Sequence, residues 1–158
     1  LDRFLMHVTV GYPNADAERK ILALVRDEAT GNASAPGPEI DQATLFTARK
    51  EVLGVHMAAN VEEYLIQLIQ ATRQPLSYGE QLDNWLEYGA SPRATIALDR
   101  CSRANPWLDG RDFVTPDDIR AVAHDILRHR LLLSFEAEAN GVTADQVIDT
   151  LLANVASA

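Results

Sequence analysis

Along most of this chain apolar residues recur three and four positions apart, the spacing of a helix with one buried face. The clearest stretch sets Val61, Tyr64, Leu65, Leu68, Ile69 and Thr72 on one stripe, and Asn60 with Glu63 three residues on reads as a capping box at its start. Ahead of it, Asn14 is placed to cap a helix with Asp16 and Glu18 in its first turn, where carboxylates suit the positive end of the dipole. The apolar face of that helix is Ile21, Leu22, Leu24 and Val25. A second helix covers about Asp41 to Leu53 and stops at Gly54.

Three more helices follow the stripe. Ser91-Pro92 is a strong start, since serine accepts from first-turn amides and proline suits the first helical position. That helix runs to about Trp107, with Ala94, Ala97, Leu98, Cys101 and Ala104 inward. Thr115-Pro116-Asp117-Asp118 repeats the start chemistry, with Val114 and Ile119 spaced as a hydrophobic staple. The helix it opens extends to about His129 and buries Ile119, Val122, Ala123 and Ile126. Thr143 and Gln146 have capping-box spacing before the last helix, whose face is Val147, Ile148, Leu151, Leu152 and Val155.

Elsewhere the helical period fails. Phe4 to Val10 alternate and are closed by Gly11-Tyr12-Pro13, which predicts one short strand and a turn. A lone strand has nothing here to pair with, so its partners are expected in a preceding sheet; a first residue that is Leu1 rather than Met points the same way. Gly31 to Pro38 lacks periodicity and reads as a mobile surface loop. Gln74 to Gly89, with Pro75, Gly79, Trp85 and Tyr88, reads as a connection that is partly irregular or briefly helical and packs aromatic side chains. The expectation is an all-α helical bundle over residues 14–158, with residues 1–13 a strand stub left from another domain.

Composition narrows the function classes. A chain of 158 residues suffices for one domain and buries about 70% of its extended surface. Apolar residues at 47% and charged residues at 23% suit a globular protein. No apolar run approaches the roughly 20 residues of a membrane span, and no secretory signal opens the sequence. A single cysteine, Cys101, excludes an internal disulfide and fits a reducing compartment such as the cytoplasm. A net charge of −9 opposes binding to nucleic acid, whose affinity rests on Lys and Arg meeting phosphates.

No GxxxxGK[ST] loop, GxGxxG, HExxH or GxSxG occurs, so the chain has no recognisable phosphate cradle of its own. Among the histidines, His7, His56, His124 and His129, the last two are five apart and do not share a helical face, so no metal site is expected. Cys101, on an inner stripe, reads as an inert buried thiol. Arg128-His129-Arg130 reads as a solvated helix C-terminus.

One segment stands apart. In Gly89-Ala90-Ser91-Pro92-Arg93-Ala94, Ser91 and Pro92 fix the helix start, so Arg93 projects from the first turn beside free backbone amides that attract anions. A cation there opposes the helix dipole, and a phosphate met bidentately would explain it; an ion pair with a nearby carboxylate is the plainer explanation.

At these residues the sequence resembles the MoxR family of AAA+ ATPases along its whole length. LDRF, a strand and GYP look like the end of the family's ATPase core; ARKEVLGVHMAANVEEYLIQLIQATR resembles the first stretch of its helical lid, GASPRATIALDR its sensor-2 helix, and GRDFVTPDDIRAVAHDILRHRL the helix after it. The resemblance implies that Arg93, set by Ser91 and Pro92, is the sensor-2 arginine reaching the γ-phosphate of ATP, and that Arg3 is a catalytic arginine finger toward a neighbouring subunit. It implies ATP and Mg held by the AAA+ core of the same chain, hexameric rings in the cytoplasm, and a chaperone role toward clients that often carry von Willebrand factor A domains. A non-catalytic helical adaptor, binding another protein through Trp85, Tyr88 and Trp107, is the alternative.

Overall fold

The computed structural model of the chain describes residues 1–31, 37 and 39–157. They form two compact units, Thr9–Thr47 on the one hand and Leu1–Val8 with Ala48–Ala158 on the other.

In the smaller unit, α1 (Ala15–Ala29) starts as the sequence predicts: Asn14 Oδ1 accepts from the Ala17 amide at 2.9 Å. α2 (Gln42–Gly54) starts behind Asp41, whose Oδ1 accepts from the Thr44 amide at 2.7 Å. The apolar stripe Ile21, Leu22, Leu24 and Val25 is exposed. Most of the loop expected over Gly31 to Pro38 lies outside the described residues.

The larger unit holds the core. It contains α3 (Ala59–Arg73), a 3₁₀ turn (Pro75–Tyr78), α4 (Glu80–Trp85), α5 (Pro92–Leu108), α6 (Pro116–Leu127), α7 (Phe135–Ala139) and α8 (Ala144–Asn154). Tyr64, Leu68, Leu98, Ile119, Ile126, Ile148 and Leu151 are all but sealed from solvent. At about 1.5–3 kcal/mol for each fully buried large apolar side chain, α3, α5, α6 and α8 carry most of the stability. Each of these four has an apolar stripe that the periodicity set out, and the bundle reading holds.

Two local expectations are corrected. Residues 4–10 form no strand: Phe4 N–H turns back to Leu1 O at 2.9 Å, and His7 N–H donates to Asp125 O at 2.7 Å. With no second strand beside them, Phe4 and His7 find their backbone partners in a turn and on α6 instead. The small sheet lies elsewhere: β1 (Leu86–Tyr88) pairs antiparallel with β2 (Leu132–Leu133), bringing Leu86 opposite Leu133. The capping box expected at Asn60 is also absent, because α3 starts at Ala59 behind an Ala58 with no side-chain cap, and Glu63 accepts from Gln67 Nε2 at 2.6 Å instead.

Other caps match the sequence. Asp118 accepts from both the Thr115 amide and hydroxyl at 2.8 Å, and Gln146 Oε1 accepts from the Thr143 amide at 2.8 Å. No helix among the described residues is long and apolar enough to cross a membrane.

An arginine-lined cavity at the start of α5

The end of α3 and the segment before α5 are locked together by a glycine. A Cβ on Gly89 would stand 2.2 Å from the carbonyl oxygen of Thr72, so only glycine allows this approach. Next to it, Thr72 Oγ1 accepts from the Ala90 amide at 3.0 Å and donates to Ile69 O at 2.7 Å, while Arg73 Nε donates to Ala90 O at 2.8 Å. Ser91 thereby reaches the N-cap position, its Oγ accepting from the Arg93 amide at 3.3 Å, with Pro92 as the first helical residue. Arg93 leaves the first turn of α5 with a side chain 58% exposed.

The Arg93 guanidinium meets a carboxylate that sequence reasoning passed over. Arg93 Nη1 lies 3.0 Å from Asp2 Oδ2; Ser91 Oγ lies 3.1 and 3.0 Å from the two Asp2 oxygens, and Arg130 Nε donates to Asp2 Oδ1 at 3.2 Å. The Arg93 hydrogen bond, with help from Ser91 and Arg130, holds the Asp2 carboxyl below its ordinary range despite some desolvation.

Arg130 was expected in a solvated helix terminus, and it is instead the buried hub of the site. Its side chain is 2% exposed. Besides Asp2 it donates to Phe4 O at 2.5 Å, to Leu5 O and Asp2 O at 3.3 Å, and to Ile126 O. α6 ends at Leu127 rather than at His129, so residues 128–130 turn toward the start of the chain. Arg128 pairs with Asp125 at 3.0 Å and Asp145 at 2.7 Å and donates to His7 O at 2.9 Å. His129 Nε2 is 3.2 Å from Phe4 O, and burial lowers its pKa.

A cavity of about 320 Å³ opens here, lined by Asp2, Arg3, Leu5, Arg93, Ile96, Ala97, Arg100 and Arg130. Four guanidinium groups against one carboxylate give it an excess of three positive charges in a chain of net charge −9. Such a cavity suits an anion with several oxygens. Arg3 and Arg93, singled out from the sequence as separate contacts, share it; Ser91 shapes it through the cap and Asp2; Pro92 does not line it. Neither the Arg3 nor the Arg100 side chain makes a hydrogen bond or ion pair among the described residues. The part of Asp2, Arg100 and Arg130 was not legible in the sequence, because Asp2 and Arg130 meet across 128 positions.

A slightly larger cavity, about 360 Å³, lies against Trp85, Gly141, Val142 and Asp149 and has no arginine in its wall. No group of three or more His, Cys, Asp or Glu side chains able to hold a metal occurs among the described residues. Cys101 is buried, and desolvation raises its thiol pKa.

Residues 83–151 match the family of AAA lid domains. The chain is 32% identical to Chaperone MoxR1 of Mycobacterium tuberculosis over 98% of its own length and 40% of that protein's. Protein MoxR of Paracoccus denitrificans is 33% identical over 84% of this chain and 42% of its own. The crystal structure of an ATPase candidate from Cytophaga hutchinsonii superposes with a TM-score of 0.92 at 34% identity, over 99% of this chain and 47% of that one. The chain thus spans about two-fifths of the length of the curated relatives it matches.

Proposed function

The chain belongs to the MoxR-type AAA proteins through its lid domain, and on that premise we propose that it is the sensor-2 lid of an ATPase with a chaperone role. Arg93 contacts the terminal phosphate of ATP, and Arg3, in the wall of the same cavity, is the arginine finger toward the nucleotide of a neighbouring subunit. The supporting observation is the cavity itself: an exposed guanidinium at a rigid helix start, with three further arginines around it.

ATP and Mg are held mainly by a AAA+ core in this reading, and the lid senses one end of the nucleotide. The lining residues fit that division. Guanidinium groups suit phosphate oxygens, whereas the single lining carboxylate, Asp2, is already taken by Arg93 and Arg130 and leaves little for a magnesium ion. Arg93 sits on α5, which packs closely on α6 and α3. Movement of Arg93 toward phosphate therefore turns the lid as a body. Assembly into a hexameric ring, and clients with von Willebrand factor A domains, accompany this reading as proposals.

The adaptor reading draws less support. It needs Trp85, Tyr88 and Trp107 on one exposed surface, but only Tyr88 is exposed, and Trp107 Nε1 is engaged with Glu51 at 3.0 Å.

The test compares ATPγS binding and ATP hydrolysis of the full-length protein with those of Arg93→Ala, with the fold followed by circular dichroism. Loss of one charge-assisted phosphate contact corresponds to roughly a ten- to hundredfold weaker binding. Unchanged binding and hydrolysis in a folded variant would remove Arg93 from the nucleotide site.

A further inference from the structure

Asp2 stands where an anionic ligand of Arg93 would stand. A carboxylate and a phosphate ask the same of a guanidinium, two parallel acceptors in its plane. One end of the arrangement is fixed and the other is loose. Asp2 is held by Arg130, 2% exposed and bound to three carbonyls of residues 2–5, whereas the Arg93 side chain is 58% exposed. If the pair opens, Arg93 swings and Asp2 stays.

Seven residues beyond Arg93, on the same face of α5 and about 10.5 Å along its axis, Arg100 reaches the same cavity with no ion-pair partner among the described residues. Ile96 and Ala97 form the wall between them. A chain of phosphates can be met from both ends of that separation at once, whereas a single phosphate ion reaches both groups only if the two long side chains fold toward each other.

We propose that Asp2 is a built-in competitor at this site: it occupies Arg93 while the cavity is empty, and a polyphosphate docks first on the unpaired Arg100 and then takes Arg93 from Asp2. This rests on the reading of Arg93 as a phosphate contact and adds a gate to it. The consequence is selection for length, because an anion that cannot reach Arg100 must break the Arg93–Asp2 pair unaided.

Calorimetric titration of the chain with inorganic tripolyphosphate, orthophosphate and ATPγS at low ionic strength tests this. Relative to the unaltered chain, Asp2→Asn should bind tripolyphosphate roughly two- to fivefold more tightly, the range set by an exposed ion pair. Arg100→Gln should weaken tripolyphosphate by a similar factor and leave orthophosphate unchanged. The gain from Asp2→Asn should vanish in an Arg93→Ala background, since the competition acts through Arg93. Asp2→Ser, which removes the charge and keeps an acceptor for Arg130, replaces Asp2→Asn if the amide disturbs the fold.

An Asp2 variant that is folded and binds no tighter overturns the gate, as does a gain that survives Arg93→Ala. Absence of any tripolyphosphate binding by both the unaltered chain and the Asp2 variant overturns it too. If Arg93→Ala weakens binding but Asp2→Asn changes nothing, the sensor reading stands without the gate; if Arg93→Ala binds like the unaltered chain, the sensor reading itself fails. Tripolyphosphate binding as tightly as ATPγS would assign the cavity to the phosphate chain alone, whereas tighter ATPγS binding would add a contact to the nucleoside; the gate requires the Asp2 effect on both.

Discussion

Asp118 holds α5 and α6 together, and its removal offers a measurable test of how the Arg93 helix is supported. The carboxylate is 3% exposed and accepts from the Thr115 amide and hydroxyl at 2.8 Å, from Asn105 Nδ2 at 3.0 Å, and from Arg111 at 2.7 and 3.0 Å. Asp118→Ala strips the acceptor from the start of α6, a loss of about 1 kcal/mol for a helix cap. It also leaves the half-buried Asn105 amide unmet, at about 1–3 kcal/mol for a buried polar group without a partner. The Arg111 contact adds little to the sum, because its guanidinium is about a third exposed, is screened by water, and keeps Asp109 at 3.2 Å. The expected cost is therefore about 2–4 kcal/mol, or about 4–16 °C in melting temperature for a domain of this size.

Urea unfolding followed by far-UV circular dichroism measures the cost directly, with an unchanged m-value showing that the same surface unfolds. Acid titration adds a second readout. The Arg111 hydrogen bonds, then those from Thr115 and Asn105, hold the Asp118 carboxyl far below the usual range despite its burial. The unfolded carboxyl takes up its proton near pH 3.9, before the folded one does. The stabilisation is thus complete above about pH 5 and is lost as pH falls through the acid range, and Asp118→Ala should show a flatter acid limb. A loss below about 0.5 kcal/mol at neutral pH, or an unchanged acid limb, would refute the reasoning.

Two further outcomes follow from packing. Gly89→Ala places a methyl 2.2 Å from the Thr72 carbonyl oxygen and 2.9 Å from the Arg73 amide, backbone atoms that cannot step aside; melting should show a loss of about 1–3 kcal/mol with weaker ATPγS binding, and an unchanged melt would contradict the close approach. Cys101, 8% exposed and with its thiol pKa raised by burial, should react slowly with a thiol-specific disulfide reagent in the native chain and rapidly in urea. Rapid native labelling would place the sulfur at the surface.

Helices whose apolar stripes meet a partner in this chain were legible, since burial and periodicity express the same constraint in α3, α5, α6 and α8. Caps were legible where the side chain faces its own first turn, as at Asn14, Ser91, Thr115 and Thr143. Asn60 shows the limit of the pattern: a capping-box spacing inside a helix that starts one residue earlier has its Glu63 drawn to Gln67. The pairing of β1 with β2 escaped because each is only two or three residues long and the two meet across more than forty positions. For the site, the local signal was complete and the distant one invisible. Ser91, Pro92 and Arg93 declare a helix start on their own, whereas nothing in LDRF or in Arg128-His129-Arg130 says that Asp2 and Arg130 meet.

Arg130 holds residues 2–5 mostly through their carbonyl oxygens, and carbonyls are the same whatever side chain follows them. The clamp is therefore blind to identity at positions 3, 4 and 5 while strict about where their backbone runs. Substitutions at Arg3 can alter what the cavity wall presents without shifting the wall, which makes that segment a convenient place to retune charge. Lysine at position 130 would forfeit this freedom, because one ammonium cannot serve diverging acceptors that a planar fork reaches together.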